Sequence, residues 1–274
     1  MQIVKTRASL QRLKTKPKIF VPTMGALHAG HLNLIKEARI KAIQNNALLV
    51  ASIFVNPKQM DDHAEYKNYP RDLSNDLALL AEHQVDIAFT PEVNEIFSEG
   101  SFEVNTREMF QDLEGAHRPN HFDGVATILT ILFNIVNPIV AVFGKKDYQQ
   151  LLLAKELVRQ FSFSIEIVAA QTARDENGLA HSSRNLKLSQ DQRLKASYIY
   201  KQLKFLKEQI QAGAKDYVNL EQIVVNRLES EGFKADYVAI RDKDSLTFSP
   251  NSQNLILLIA AWLDGVRLID NLEI

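Results

Sequence analysis

The chain has 274 residues, of which 46% are hydrophobic and 24% are charged, and its formal net charge is -1 at pH 7. This balance is typical of a globular protein and provides no excess positive charge for binding nucleic acid. Cysteine is absent, which excludes disulfides, thiolate zinc sites and cysteine nucleophiles. No apolar segment is long enough to span a bilayer, and the N-terminal segment lacks the apolar core of a secretory signal. We therefore expect a cytoplasmic protein with no membrane or nucleic-acid partner.

The first two-thirds of the chain alternates short apolar, β-branched segments with helical patterns. The predicted strands are Lys18–Thr23, Ala47–Val55, Asp86–Phe89, Ile139–Phe143 and Ser164–Ala170. The predicted helices are His31–Gln44, Asp72–Glu82, Gly124–Val136 and Tyr148–Phe161. This alternation predicts an α/β domain with a Rossmann-like, doubly wound parallel sheet, which binds ligands at the carboxyl ends of its strands.

The pattern changes near Ser182, where the alternation of strands and helices stops. Two predicted helices, Gln190–Ala212 and Asp216–Glu231, are followed by predicted strands at Ala235–Ile240, Ser245–Phe248 and Leu255–Ala261. Helices followed by neighbouring strands predict a smaller C-terminal α+β domain with an antiparallel sheet. The polar stretch 171–189 contains the boundary, and we place the two domains at 1–175 and 176–274.

The segment Pro22–Arg39 (PTMGALHAGHLNLIKEAR) joins the first of these strands to the first helix. His28 and His31 are three residues apart, so they lie on one side of the first helical turn. Free backbone N–H groups and the positive end of the helix dipole lie at the same place, and Gly30 leaves room for a bulky anion. Such a junction can bind a triphosphate and stabilise charge developing at its α-phosphorus. Histidines that only cap the helix, or that bind zinc, are the alternatives, although no third zinc ligand stands nearby.

Two further polar segments follow the ends of predicted strands. In the first, IFVNPKQM, Asn56 and Gln59 come after the strand, and an amide such as that of Gln59 suits a small hydroxy acid. In the second, FGKKDYQQ, Gly144 permits close backbone approach and Lys146 can contact phosphate oxygens, while Asp147 can cap the next helix. Taken alone, each segment would be an ordinary polar turn.

Two polar loops add cationic and hydroxyl groups. The loop AHSSRN offers Ser182, Ser183 and Arg184, which can surround the β- and γ-phosphates of a nucleotide. The loop EGAHRPNHFDGV contains Arg118 and His121, which could bind a substrate carboxylate or phosphate. Arg118 could equally tie its own loop to Glu114.

Together these motifs resemble the pantothenate synthetase family, within the superfamily of HxGH nucleotidylyltransferases. The resemblance implies catalytic roles for His28, His31 and Lys146. The implied ATP-binding residues are Met24, Gly25, Ala26, Leu27, His28, Ala29, Gly30, His31, Gly144, Lys145, Lys146, Asp147, Ala173, His181, Ser182, Ser183 and Arg184. The residues implied in binding pantoate or β-alanine are Asn56, Gln59, Arg118, His121 and Gln150. Asp76, which follows a YPR segment, is implied as an acidic residue on the side of a bound Mg²⁺.

Five positions depart from the family pattern, one of which is Ala173, where the family usually has Val. Met60 stands where the family usually has Phe, and Lys145 stands where it is usually acidic, so Lys145 receives no separate role. His181 replaces the usual Met before SSRN, and Asn75 occupies a position that can be acidic in relatives. Because of Asn75, we expect Mg²⁺ to be held mainly by the phosphates of the nucleotide.

The implied reaction joins pantoate to β-alanine with consumption of ATP. The pantoate carboxylate would attack the α-phosphorus, and β-alanine would then attack the acyl-adenylate, releasing AMP. The C-terminal domain would act as a lid that keeps water away from the adenylate, and the family resemblance implies a homodimer. The alternatives are a nucleotidylyltransferase that transfers AMP to a phosphate, a class I tRNA synthetase, and a catalytically silent nucleotide-binding regulator.

Overall fold

The computed structural model describes residues 1–13, 16–60, 63–97, 100, 102–106 and 110–274, which form two compact units. The first unit comprises Met1–Gly144 and Gln149–Gln171. The second comprises Lys145–Tyr148 and Thr172–Ile274. The four residues after the fifth strand therefore belong to the second unit, although they lie within the part of the sequence that builds the first.

A parallel sheet of six strands forms the centre of the first unit. Its strands are β1 (Gln2–Val4), β2 (Lys18–Thr23), β3 (Leu48–Ile53), β4 (Ile87–Phe89), β5 (Val140–Gly144) and β6 (Glu166–Ala170). Their spatial order is β1-β4-β3-β2-β5-β6, and every neighbouring pair is parallel. The direction of winding reverses between β2 and β5. The carboxyl ends of these two strands therefore flank the switch point at which open α/β sheets bind ligands.

Helices connect these strands in the described part of the first unit. They are α1 (Arg7–Arg12), α2 (Ala29–Gln44), α3 (His63–Asn68), α4 (Leu73–Glu82), α5 (Val93–Ile96), α6 (Glu114–His117), α7 (His121–Val136) and α8 (Tyr148–Gln160). In the core, Ile35 and Ala38 of α2 pack with Ile19 of β2 and Leu49 of β3. The predicted doubly wound α/β domain is confirmed. None of the helices in the described ranges combines the length and apolar composition of a membrane span.

In the residues that the structure describes, the second unit consists of three α-helices, a 3₁₀ helix and an antiparallel sheet. Its elements are the 3₁₀ helix Ser183–Lys187, α9 (Gln190–Ala196), α10 (Tyr198–Gln211), α11 (Tyr217–Ser230), β7 (Lys234–Asp242), β8 (Leu255–Leu263) and β9 (Val266–Glu273). The sheet order is β7-β8-β9. Leu203 of α10 and Val224 of α11 share a buried core with Leu257 of β8. The smaller α+β unit expected from the sequence is confirmed.

The third strand of this sheet differs from the predicted one. The predicted strand Ser245–Phe248 forms a turn, because Asp242 Oδ1 accepts the backbone N–H groups of Asp244 and Ser245 at 3.1 and 3.0 Å. The sheet is completed by β9, which the sequence analysis did not predict. The connection from β8 to β9 is a two-residue turn, Asp264-Gly265, and both residues have positive φ, as a tight hairpin requires. The predicted helix Gln190–Ala212 is also two helices, α9 and α10, which meet at Ser197.

Candidate active site

His28 and His31 meet at the first turn of α2, where their rings form reciprocal contacts with the backbone. His28 is the N-cap, and its Nδ1 accepts the N–H of Gly30 at 3.1 Å. His31 Nδ1 accepts the N–H of His28 at 3.4 Å, and the two ring centroids are 4.1 Å apart. A ring whose Nδ1 accepts a hydrogen bond carries its proton on Nε2 when neutral. Capping and function are therefore compatible, because the cap uses Nδ1 and places the Nε2–H donor on the other side of each ring.

The loop between β2 and α2 is held by Asp76, in the first turn of α4. Asp76 is buried, and its Oδ2 and Oδ1 accept the N–H groups of Ala26 and Leu27 at 3.0 and 2.8 Å. Gly25 has φ +81°, and a Cβ there would lie 2.7 Å from Asp76 Oδ2. The loop thus requires glycine for both its conformation and its contact with the carboxylate.

This geometry gives Asp76 a structural role beside the one predicted at a metal. Both carboxylate oxygens bind backbone N–H groups and the side chain is 1% exposed, so Asp76 holds the loop, and its place on the side of a bound Mg²⁺ stays a prediction. Among the residues that the structure describes, no group of three or more His, Cys, Asp or Glu side chains could hold a metal ion. The described side chains therefore do not provide a protein cage for Mg²⁺.

Gln59 lies at the end of a 3₁₀ turn, Pro57–Gln59, that follows β3, and its amide has a fixed orientation. Its Oε1 accepts Asn56 Nδ2 at 2.9 Å, and its Nε2 lies 3.1 Å from the sulfur of Met24. Asn56 is 1% exposed and also donates to the carbonyl of Gly124 at 3.0 Å. Because a thioether is a weak acceptor, the Gln59 amide group still has capacity to donate to a ligand. Asn56 orients Gln59, and its predicted contact with the substrate stays a prediction.

Helix α7 approaches the backbone of this turn through a glycine. A Cβ on Gly124 would lie 2.1 Å from the carbonyl oxygen of Lys58 and 2.6 Å from the amide nitrogen of Gln59. No real Cβ tolerates such distances, so only glycine allows α7 and the turn to pack this closely. The position of Gln59 therefore depends on Gly124, for which the sequence analysis gave no role.

Arg118 and His121 lie against the main chain of Gln59. His121 Nδ1 is 2.7 Å from the Gln59 carbonyl oxygen, and Arg118 donates to the same oxygen at 3.4 Å. Arg118 is 9% exposed and forms an ion pair with Glu65 at 3.1 Å. The structure thus brings together Asn56, Gln59, Arg118 and His121.

Two neighbouring glutamines in the first turn of α8 have different environments. Gln150, the predicted one, is half-buried. Gln149 is 5% exposed, accepts the N–H of Glu114 at 2.8 Å and donates to the carbonyl of Asp112 at 3.0 Å. Gln149 therefore holds the segment before α6, and Gln150 is the member of the pair that remains partly accessible.

In the second unit, the predicted phosphate-binding side chains line one cavity. Lys146, Ser182 and Arg184 all contribute to its wall, together with Arg267 and Asp270. Ser182 caps the following 3₁₀ helix, its Oγ accepting the N–H of Arg184 at 3.2 Å. The structure thus brings the separate motifs GKKD and SSRN together within this unit.

The two segments of this unit that are predicted to bind the nucleotide also pair with each other. The N–H of His181 donates to the carbonyl of Ala173 at 3.0 Å, and Arg174 and Ala180 form an antiparallel bridge. Gly178, at the turn between them, has φ +93°. The main chain of His181 is thus used in a hairpin, which is independent of the identity of its side chain.

Strand β9 supplies contacts that the sequence analysis missed. Arg174 forms a bidentate pair with Asp270 at 2.5 and 2.9 Å, and its guanidinium lies over the ring of Tyr200 at 3.9 Å. Burial raises the pKa of the Asp270 carboxyl, while the hydrogen bond and charge of Arg174 act in the opposite direction. Lys145 pairs with Glu273 at 2.5 Å, which gives this unexpected lysine a partner. The Asp-Gly turn before β9 was the signal that could have revealed this strand.

Comparisons with known proteins place the chain among enzymes of pantothenate synthesis. The family model described as pantoate-beta-alanine ligase matches residues 1–273. The pantothenate synthetase of Thiobacillus denitrificans is 44% identical over 279 residues, covering 100% of this chain and 97% of that protein. The pantothenate synthetase of Methylobacillus flagellatus is 44% identical over 277 residues, covering 100% of this chain and 98% of that protein.

Solved structures agree with this result. The chain superposes on pantothenate synthetase from Thermus thermophilus with a TM-score of 0.93 at 40% identity, covering 100% of this chain and 99% of that one. It superposes on the pantoate-beta-alanine ligase from Francisella tularensis, complexed with beta-gamma ATP and beta-alanine, with a TM-score of 0.83 at 33% identity. The latter match covers 100% of this chain and 97% of the Francisella chain.

Proposed function

The chain belongs to the pantoate-beta-alanine ligase family, and from this premise we propose how its residues perform the ATP-dependent condensation of pantoate with β-alanine. The observation that carries the proposal is the pair of histidines that cap the N-terminus of α2. That junction lies after β2, at the switch point of the sheet. It is a phosphate-binding geometry built from a helix N-terminus and two imidazoles.

In the first step, a carboxylate oxygen of pantoate attacks the α-phosphorus of ATP. The bond between the α-phosphorus and the bridging oxygen breaks, and pyrophosphate leaves with the negative charge. The Nε2–H groups of His28 and His31 and the N-terminus of α2 would stabilise the charge that develops on the phosphoryl oxygens. The chain has no cysteine, and pantoate itself is the nucleophile, so the enzyme needs no covalent intermediate of its own.

In the second step, the amine of β-alanine attacks the acyl carbon of pantoyl-adenylate. The bond from that carbon to the phosphate oxygen breaks, AMP leaves, and the nitrogen loses a proton to give the amide. An acyl-adenylate is susceptible to hydrolysis, so the site must keep water away between the two steps. We assign this role of a lid to the second unit.

The acid substrate is positioned by Gln59 and Gln150 in this proposal. The Gln59 amide is already oriented by Asn56, with its carbonyl engaged and its NH₂ group facing the sulfur of Met24. A hydroxyl or carboxylate oxygen of pantoate is a stronger acceptor than a thioether and would take this donor. The orienting bond lowers the entropy lost when the acid binds.

The leaving phosphates are assigned to the second unit. Lys146, Ser182 and Arg184 share a cavity there, which supports a common ligand for the three side chains. Lys146 pairs with Asp147 at 3.1 Å, and a phosphate oxygen would replace or share this contact. Ser183 and the main chain of His181 belong to the same loop and complete the assignment.

Mg²⁺ would enter the site on the phosphates of ATP. The described side chains offer no cage of three or more metal-binding groups, and Asp76 is occupied by backbone N–H groups. The ion would neutralise phosphate charge, which is the usual function of Mg²⁺ bound to a nucleotide. On family membership alone, the proposal also includes a homodimer and a cytoplasmic location. Light scattering would test the homodimer.

The proposal is tested by following nucleotide products with ATP, Mg²⁺, pantoate and β-alanine. We expect AMP and pyrophosphate in equal amounts, at a rate that requires both organic substrates. Formation of ADP and phosphate would contradict adenylyl transfer. Turnover with a phosphate acceptor in place of pantoate would identify the chain as another nucleotidylyltransferase.

A further inference from the structure

We infer that Asn271 is a positioning residue for ATP, because it fixes the main chain that carries Lys146. This inference rests on the proposed contact between Lys146 and the nucleotide phosphates. Asn271 lies on β9, in a region of the sequence that contains none of the predicted site residues. It is 5% exposed, and its side-chain amide donates to carbonyl groups within the second unit.

Asn271 uses both hydrogens of its amide group on neighbouring carbonyls. Its Nδ2 donates to the carbonyl of Lys145 at 2.9 Å and to the carbonyl of Lys146 at 2.8 Å. Two acceptors at this distance also define which way the amide points. The segment Lys145–Tyr148 belongs to the second unit although it directly follows β5 of the first, and Asn271 is one of the residues that attach it there.

The backbone of Asn271 extends the same network to the SSRN loop. Its N–H donates to Asp270 Oδ1 at 2.8 Å, and its carbonyl accepts a hydrogen bond from Arg174 at 3.1 Å. Arg174 also donates to the carbonyl of Gly178, at the turn of the hairpin that leads into the loop. One strand thus holds both phosphate-binding segments of this unit, the first through Asn271 and the second through Arg174 and Asp270.

This arrangement matters because Lys146 carries a long, flexible side chain. A lysine ammonium contributes to phosphate binding only where its main chain is fixed, since its rotamers already lose entropy on binding. Two hydrogen bonds to the adjoining carbonyls restrict that main chain before ATP arrives. Loss of the Asn271 amide leaves two partly buried carbonyls without these donors and frees the segment to move.

The inference is tested by a double-mutant cycle between Asn271→Ala and Lys146→Ala, measured as kcat/KM for ATP. We expect Asn271→Ala alone to lower kcat/KM for ATP about tenfold, as the loss of a buried hydrogen bond would. The KM of this variant for pantoate should change less than about twofold. In the Lys146→Ala background, adding Asn271→Ala should lower kcat/KM for ATP by less than about a further twofold. Asn271→Ser provides a second, milder variant if the alanine variant does not fold.

The matched control is Val224→Ala, on α11 in the buried core of the same unit, which makes no hydrogen bond to the segment Lys145–Tyr148 through its side chain. It should lower the melting temperature without changing the KM for ATP relative to that for pantoate. Equal losses from Asn271→Ala in both Lys146 backgrounds would overturn the inference, because they would show a general structural effect. If Lys146→Ala itself leaves kcat/KM for ATP unchanged, the proposed role of Lys146 fails and the inference fails with it. If Lys146→Ala lowers kcat/KM for ATP but Asn271→Ala has no effect, the inference about Asn271 fails and the proposed role of Lys146 stands.

Discussion

The two units position their proposed phosphate-binding groups in different ways. In the first unit, His28 and His31 are held by N–H groups of their own helix turn, and Asp76 holds the preceding loop. In the second unit, Lys146 and the SSRN loop are held by side chains of β9, about a hundred residues further along the sequence from either. The histidines are thus fixed mainly within one helix turn, with Asp76 as the distant contact, whereas the groups of the second unit depend on β9.

This difference determines whether a substitution in each region should reduce activity or stability. A locally fixed junction contains contacts between backbone groups, which have little freedom to adjust, so small changes in shape should reduce activity strongly. A region held by buried side-chain pairs should respond through the stability of the unit that contains them, since breaking a buried ion pair leaves a charge without its partner. The following predictions test this contrast, in order of decreasing expected effect.

Gly124→Ala should have the largest effect, because the new Cβ would overlap the main chain beside Gln59. The turn Pro57–Gln59 must then move, and a displacement of about 1 Å in a positioning group can cost about 100-fold in rate. We expect kcat/KM for pantoate to fall by about this factor, measured by AMP formation at saturating ATP. Gly213→Ala is the control for overlap, because a Cβ there meets no atom within 4 Å, and its φ of +98° makes the substitution a test of backbone strain alone. A Gly124→Ala enzyme with normal kinetics for pantoate would show that the close packing of α7 is not required.

Asp76→Asn should have an intermediate effect and distinguishes a loop role from a metal role. The amide can replace one acceptor but presents NH₂ to the other backbone N–H, which should lower kcat/KM for ATP about tenfold. We expect the Mg²⁺ concentration for half-maximal rate to stay unchanged when ATP is kept at the same saturation. A large increase in that Mg²⁺ concentration would contradict our assignment and restore Asp76 as a metal-side residue.

Asp242→Asn should have the smallest effect and concerns the acid stability of the second unit. Hydrogen bonds from the N–H of Ser245 and the hydroxyl of Ser252 lower the pKa of Asp242 below its ordinary value of 3.8. A lowered pKa in the folded state means that the carboxylate stabilises the fold above the unfolded pKa, and that this contribution disappears as pH falls through the folded pKa.

Denaturant unfolding at neutral pH and at about pH 3 would measure this contribution. The variant should be slightly less stable than the wild type at neutral pH, and the two should approach each other in acid. Activity at neutral pH should change little, because Asp242 is the last residue of β7 and binds the turn that follows it, which contains no proposed site residue. A difference in stability that grows in acid would contradict the assigned direction of the pKa shift.

The sequence predicted the locally fixed region better than the other. His28, Gly30 and His31 could be interpreted from a single helix turn, because capping and dipole effects act within that turn. The parallel sheet was likewise predictable, since buried strands such as β2 and β3 are continuous apolar segments. The role of Asp76 was not predictable, because it depends on how α4 packs beside the loop after β2.

The second region was predicted only in part for the same reason. Lys146, Ser182 and Arg184 stood in interpretable motifs, but Asp270 and Asn271 lie on a strand that the analysis did not assign. The Asp264-Gly265 turn is a hairpin signal there, while the predicted strand Ser245–Phe248 does not form. The Asp242 side chain binds the backbone N–H groups of the next residues and holds them in a turn instead of a strand. A pattern of apolar residues does not show such hydrogen bonds between a side chain and the nearby backbone.

The most direct test of the account is the formation of pyrophosphate in the first turnover with ATP and pantoate but no β-alanine. Quenched-flow measurement should show a rapid burst with about one pyrophosphate per active site, because the adenylate forms before the amine is needed. His31→Ala should slow this burst about 100-fold or more, as expected for the loss of one group that stabilises the transition state. Absence of pyrophosphate until β-alanine is added would contradict the adenylate route. If the His31→Ala enzyme showed the burst at the wild-type rate, the role assigned to the two capping histidines would be contradicted.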